Sequence, residues 1–338
     1  MSNVTTIGID IGKTWFHVVG MNRAGKPLER HKLRRQHLGE FFAKIPPCLI
    51  GMEACAGSQQ LARSLLKYGH DARIIPAQFV KPFLKSAKND FNDAEAIAEA
   101  ITRPTMRFVA VKNAEQLDLQ ALHRMRDRFV HDRTAVINQI RAFLIENDIA
   151  LRTGRTFLKR ELPFVLQDAN AQLSMRMRAV LNRLLNHWQH LEDQINETSK
   201  ELEHIAKSRD DTSRLMTVPG IGPLAATAMI AAVGNGSQFR RARDLAAWLG
   251  LVPKQYSTGG TPRLLGISKR GNNYLRRLLI HGARSVYLHM NRQRQSLGTW
   301  IDALQIRCHR NVVVVALANK IARTCWAILA RGSVYRLQ

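Results

Sequence analysis

The chain has 338 residues, 45% hydrophobic and 23% charged, and its 51 Lys and Arg against 26 Asp and Glu give a formal charge of +25. That composition excludes a chain disordered throughout, and at about 100–200 residues per domain it predicts more than one domain. The charge argues against a small-metabolite enzyme and points to a polyanion, because each Lys or Arg that meets a phosphate releases counterions. A nucleic acid is the first partner to expect, and an anionic membrane surface the second.

In chain order, residues 4–11 read as a strand, Gly12-Lys13-Thr14 as a turn, and 15–19 as a second strand. The turn Asn22-Arg23-Ala24-Gly25-Lys26 precedes a third strand at 28–33, completing a meander. A helix over 38–45, a short apolar strand at 48–52, an amphipathic helix at 58–68 and a strand at 72–75 follow. This alternation predicts an α/β sheet domain. Helical spacing then takes over at 94–100 and 114–147, where Leu122, Met125, Phe129, Val136, Ile140 and Phe143 recur every three or four residues. Met177, Val180, Leu184, Trp188, Leu191, Ile195, Leu202 and Ile205 repeat the pattern, which fits either a coiled coil or two core helices. From Asp211 the chain is helical and basic, with twelve Lys or Arg and one acid between Arg240 and Arg294. The expected fold class is α/β plus all-α, with domains at 1–110, 111–210 and 211–338.

The longest apolar run, 312–318, falls well short of the roughly 20 residues of a membrane span. The opening Met-Ser-Asn-Val-Thr-Thr has no basic leader, so a cytoplasmic protein without a membrane partner is expected. Cys48, Cys55, Cys308 and Cys325 form no C-x-x-C pair, so buried reduced thiols are expected rather than zinc or disulfides.

The acids are scarce and placed in a pattern. Asp10 ends the first strand, Glu53 follows the apolar strand at 48–52, and Asp90 and Asp93 open a helix. Open sheets place their sites at such strand ends, and residues three apart share a helix face. Four converging carboxylates would repel one another unless hard cations such as Mg²⁺ neutralised them, and paired ions of that kind act on phosphodiesters. Taken singly, each acid reads equally well as a capping or solvated carboxylate. Ile9-Asp10-Ile11-Gly12-Lys13-Thr14 also fits the phosphate loop of an actin-like ATPase or sugar kinase. A second glycine-rich adenosine site is missing, however, and that reading leaves the basic C-terminal region unexplained.

Thr217-Val218-Pro219-Gly220-Ile221-Gly222-Pro223 resembles the hairpin of a helix-hairpin-helix element. In such a hairpin Gly220 and Gly222 would let the backbone and a helix N-terminus approach a phosphate; a plain helix–helix turn is the alternative. Tyr256-Ser257-Thr258-Gly259-Gly260 reads as a flexible loop followed by Arg263, Lys269, Arg270, Asn272, Arg276 and Arg277. A hydroxyl among guanidinium groups is suited to attack a phosphodiester, and the basic residues to clamp one.

Together these pieces resemble the DEDD-type insertion-sequence transposases, the IS-one-ten family and its IS-one-eleven-one branch, a group that includes the Piv DNA invertases. The markers are Ile7-Gly8-Ile9-Asp10, Gly51-Met52-Glu53-Ala54, Lys88-Asn89-Asp90-Phe91-Asn92-Asp93-Ala94, Val218-Pro219-Gly220-Ile221-Gly222, Leu249-Gly250-Leu251-Val252-Pro253, Tyr256-Ser257-Thr258-Gly259-Gly260 and Gly266-Ile267-Ser268-Lys269-Arg270-Gly271-Asn272. The resemblance implies a RuvC-like (RNase H-like) N-terminal domain with Asp10, Glu53, Asp90 and Asp93 as ligands of Mg²⁺ or Mn²⁺. It implies a helical connector, and a C-terminal transposase domain whose serine, here Ser257 rather than the adjacent Thr258, links transiently to DNA. Element ends and target DNA, a non-coding bridge RNA and a homo-oligomer, dimer or tetramer, are the implied partners, with sequence choice placed in base pairing. Two other readings are a RuvC-like Holliday-junction nuclease that cuts with water, and a non-catalytic scaffold.

Overall fold

The computed structural model describes residues 3–85, 89–294 and 296–336, so Lys88 of the acidic motif lies outside the described residues. The chain divides into two compact units, Met1–Ala114 and Glu115–Gln338.

The first unit runs β1 (Thr6–Ile11), β2 (Trp15–Met21), β3 (Pro27–Arg34), α1 (Leu38–Ala43), β4 (Leu49–Glu53), α2 (Ser58–Lys67), β5 (Asp71–Ile75), α3 (Ala77–Val80) and α4 (Asp90–Ala100). These elements follow the sequence expectation closely. The five strands form one sheet in the order β3-β2-β1-β4-β5. β1, β2 and β3 are antiparallel neighbours, while β4 and β5 lie parallel to β1. β3 alternates half-buried and exposed positions, as an edge strand should, whereas β2 is buried at every position after Trp15.

Strand alternation sorts the side chains to two faces. Ile7, Ile9, Phe16, Val18, Ile50 and Met52 pack with Phe42 of α1 and with Leu61, Ala62 and Leu65 of α2. Val19 and Met21 of β2 pack instead with Ala94 and Ala98 of α4. Gly8 and Gly51, opposite each other on β1 and β4, form the floor on which α4 lies. A methyl at Gly8 would stand 2.0 Å from the Ala94 carbonyl oxygen, and one at Gly51 would stand 2.3 Å from Ile101. Two bare positions side by side let a helix rest almost backbone to backbone on the sheet.

The second unit contains α5 (Ala114–Ile145), α6 (Arg155–Gln167), α7 (Met175–Ser208), α8 (Asp210–Met216), α9 (Pro223–Val233), α10 (Ala242–Trp248), β6 (Pro253–Gln255), β7 (Leu264–Ile267), α11 (Asn273–His289), α12 (Ser296–Gln305) and α13 (Arg310–Arg331). The pairs Arg126–Ser199 and Arg133–Glu192 run in opposite senses along α5 and α7, so the two long helices are antiparallel. Val136, Ile140 and Leu144 of α5 share an apolar cluster with Leu158 and Leu162 of α6 and with Leu181, Leu185, Trp188 and Leu191 of α7. Leu119 and Leu202 belong to a second cluster, built mainly from α9, α11 and α13. Met125 sits between the clusters and is 41% exposed, although its spacing put it on the apolar face. α13 is long and apolar enough to cross a membrane by length and composition. Its Val313, Val314, Leu317, Ala318, Ile321, Cys325 and Ile328 are buried in this second cluster. The cysteines also depart from the expectation of uniform burial, since Cys55 is exposed and only Cys325 is buried.

A polar chain crosses this unit. Thr227 Oγ1 donates to the Pro223 carbonyl at 2.7 Å, so His123 Nε2 donates to Thr227 Oγ1 and His123 Nδ1 accepts from the Tyr274 hydroxyl, each at 3.0 Å. Burial, with the charge of Arg126 beside it, lowers the His123 pKa to about 4. The neutral ring therefore stabilises the fold above pH 6.5, and that contribution is lost as pH falls toward 4. The fall from 6.5 to about 4 corresponds to a loss of up to about 3 kcal/mol. Urea unfolding across this pH range is expected to show the loss in wild type and a flatter profile in His123→Leu. Parallel profiles would contradict it.

Candidate active site and nucleic-acid interface

Asp10 and Glu53 each lie two residues beyond a floor glycine, Gly8 and Gly51, at the carboxyl ends of parallel strands β1 and β4. Two-residue spacing puts both on the face covered by α4. That helix begins with Asp90, capped by Asn89, whose side chain accepts from the Phe91 amide at 2.9 Å. Asp90, Ala94 and Ala98 follow one four-residue row, which lies over β1. Asp93, Ile97 and Ile101 follow the neighbouring row, which lies over Gly51. The close seat of α4 thus brings its two acids toward the two strand-end acids.

The electrostatics record this convergence. Burial raises the Asp10 pKa, and the negative charges of Asp90, Asp93 and, more weakly, Glu53 raise it further, against a lowering by His17. Burial and the charges of Glu53 and Asp10 likewise raise the Cys55 thiol. Asp10 and Asp90 come close enough to share a cation, and the third member of that group is His17. Glu53 and Asp93 flank the group without entering it. His17 is a residue that the sequence pattern of acids did not reveal. It lies opposite Asp10 in the β1–β2 register and on the same face as Val19 and Met21. Its signal in the sequence was positional: a histidine at a strand site where the alternation calls for an inward side chain.

In the second unit, Ser257 lies in the connection between β6 and β7. β6 and β7 are antiparallel, and Thr258 bridges Thr261 across Gly259-Gly260. Both glycines have positive φ, +57° and +77°, which a two-residue hairpin turn of this hand requires. Tyr256, Ser257, Thr258 and Arg263 are exposed. Ser257 Oγ accepts from Gln255 Nε2 at 2.9 Å and from the Arg263 amide at 3.3 Å. Ser257 and Thr258 lie between the two strands, next to the Gly259-Gly260 turn.

The basic residues divide by burial. Arg263, Lys269, Arg270 and Arg277 are exposed. Arg276 is buried and donates to the Leu249 and Arg270 carbonyls and to Asn273 Oδ1. Its guanidinium ties the loop after α10 to the start of α11, so it is committed inside the fold. Asn272 caps α11 by accepting from the Leu275 amide at 3.0 Å. Arg277 pairs with Asp127 of α5 and lies over the Tyr274 ring. It lines an open cavity of about 470 Å³ with Arg124, Asp127, Arg128, Val130, His131 and Thr134. Gly220 has φ +85° and packs against Gly282 of α11, while Gly222, at the N-cap of α9, is exposed with open space beside it.

Carboxylates gathered where a mixed sheet meets a helix, in a chain of +25 charge carrying an exposed basic hairpin, fit the class of enzymes that act on nucleic acids. The chain belongs to the IS110 family of insertion-sequence transposases. A family model described as "Transposase IS116/IS110/IS902 family" matches residues 212–298, and a DEDD-type model described as "Transposase" matches residues 7–147. The transposase for insertion sequence element IS1328 of Yersinia enterocolitica is 42% identical over 335 residues, 99% of each chain. The transposase for insertion sequence element IS1111A of Coxiella burnetii is 41% identical over 336 residues, 99% of this chain and 92% of that one. A pilin gene-inverting protein of Moraxella bovis is 24% identical over 212 residues, 60% of this chain and 55% of that one.

Proposed function

We propose that this transposase cuts and exchanges DNA strands through two sets of groups. One is a divalent-metal site of Asp10, Glu53, Asp90 and Asp93 on a RuvC-like first unit, and the other is the nucleophile Ser257. The observation that carries the reading is the approach of Asp90 to Asp10 within reach of one cation, with Asp93 and Glu53 near enough to act on the Asp10 charge. The donor set fits Mg²⁺ or Mn²⁺, since hard cations take carboxylate oxygens and the uncompensated charge needs one. A bound ion would stabilise negative charge developing on the scissile phosphate.

The chain's own groups supply the rest. Ser257 Oγ forms a bond to phosphorus as the P–O3′ bond breaks, and the proton released by the serine is balanced by the one taken up by the leaving 3′ oxygen. A 3′ hydroxyl of the partner strand then displaces Ser257 from phosphorus and restores the serine. The two sets of groups act on one phosphodiester within a homo-oligomer. Helices α5, α6 and α7 form the connector, and the segments 1–110, 111–210 and 211–338 are the functional parts of the chain. A structured non-coding RNA supplies target choice, which fits a chain of +25 formal charge that holds polyanions.

Arg263, Lys269, Arg270 and Arg277 are read as phosphate contacts, with Gly222 presenting the N-terminus of α9. Each of the four changed to Ala is expected to reduce the slope of log affinity against log salt by about one. Arg276→Ala is expected to lower thermal stability instead, because two carbonyls lose their donor. Unchanged slopes in all four would remove the phosphate-clamp reading. The strand-exchange reading itself is tested by whether a covalent protein–DNA species depends on both Ser257 and Asp90.

A further inference from the structure

We propose that His17 Nδ1 is a ligand of the divalent ion in the first unit, a nitrogen donor beside the carboxylates; the inference rests on the reading of that site as a metal centre. His17 is 7% exposed and lies on β2 directly opposite Asp10. Its Nδ1 is buried without a hydrogen-bond partner among the described residues. A buried polar atom left in that state is destabilising and rare, so it calls for a partner. Phe91 meets the imidazole edge to face, with ring centroids 4.8 Å apart, which restricts how the ring turns.

The distances fit a shared ion. Nδ1 stands 3.4 Å from Asp90 Oδ2, an ion pair when the imidazole is protonated but not a hydrogen bond. The ligand atoms of Asp10, His17 and Asp90 all lie within 4.8 Å of one another. Bonds of about 2.1 Å around one ion place ligand atoms about 3–4.2 Å apart, and the 3.4 Å between Nδ1 and Asp90 Oδ2 falls in that range. An ion among the three atoms would give Nδ1 the partner it lacks. An imidazole among carboxylates shifts preference from Mg²⁺ and Ca²⁺ toward Mn²⁺ and the later first-row ions.

The test loads the full chain with Mn²⁺ alone and measures its affinity and its nitrogen hyperfine coupling by pulsed electron paramagnetic resonance. Wild type is expected to show a directly bonded nitrogen whose signal changes when the protein is grown with ¹⁵N-histidine. His17→Gln is expected to lose that signal and to bind Mn²⁺ at least about tenfold more weakly, the scale on which even outer partners of a metal site act. Mn²⁺ bound to wild type without nitrogen coupling overturns the inference and leaves the carboxylate site standing. Coupling retained in folded His17→Gln also overturns it. No bound Mn²⁺ in wild type removes both the inference and the reading beneath it. The isotope comparison in wild type decides the matter if His17→Gln fails to fold.

Discussion

Asp10→Asn is expected to melt above wild type when divalent metal is chelated, and to lose strand cleavage when metal is supplied. Burial works against the Asp10 carboxylate, and the charges of Asp90, Asp93 and Glu53 add to that cost. An amide of the same shape removes the charge. The gain is expected near 1 kcal/mol, discounted for partial exposure, or about 1–2 °C in a chain of this size. Metal should reverse the order. Ligand at a hundredfold excess over Kd adds about 2.7 kcal/mol to wild type and little to the variant. Metal stabilises the reacting phosphate by several kcal/mol, so cleavage should fall by about a thousandfold. Melting curves with chelator and with Mn²⁺ check both halves. A variant that melts lower than wild type in chelator would show that Asp10 is not under electrostatic strain.

Gly8→Ala is expected to be among the most damaging single methyl additions in the first unit. The new carbon would lie 2.0 Å from the Ala94 oxygen and 2.6 Å from the Ala98 nitrogen, both backbone atoms of α4. The helix has to lift by more than an ångström, and it carries Asp90 and Asp93. Overpacking of this kind costs about 1–3 kcal/mol, and a 1 Å displacement of catalytic groups costs about a hundredfold in rate. Gly266→Ala is the control, because nothing lies within 4 Å of its added methyl. Its stability is expected within about 0.5 kcal/mol of wild type. Equal melting temperatures for the two variants would contradict the account of how α4 is seated.

The first unit was legible because its strands are short apolar runs bounded by glycine and polar turns, and because its acids fall at strand ends. The expected strands at 4–11, 15–19, 28–33, 48–52 and 72–75 correspond to β1 through β5. The residues that complete the site were harder to see. His17 belongs to it through cross-strand pairing with Asp10, a relation fixed by register rather than by spacing along the chain. Gly8 and Gly51 read as parts of apolar strands, and only the tertiary contact shows that they admit α4. In the second unit, Gly259-Gly260 read only as a loop, and their positive φ values show the tight turn that joins β6 to β7 beside Ser257. Arg276 looked like its neighbour Arg277, and burial alone separates a guanidinium bound to carbonyls from one facing solvent. Met125 kept the helical period but fell between two cores.

The most direct measurement is a search for covalent protein–DNA adduct with the chain expressed beside its native flanking DNA, denatured before gel analysis, and compared with Ser257→Ala, Thr258→Ala and Asp90→Ala. The account predicts an adduct in wild type and in Thr258→Ala, absent from Ser257→Ala and Asp90→Ala. Strand breaks without any adduct, undiminished in Ser257→Ala, would contradict it and would mark a nuclease that cuts with water.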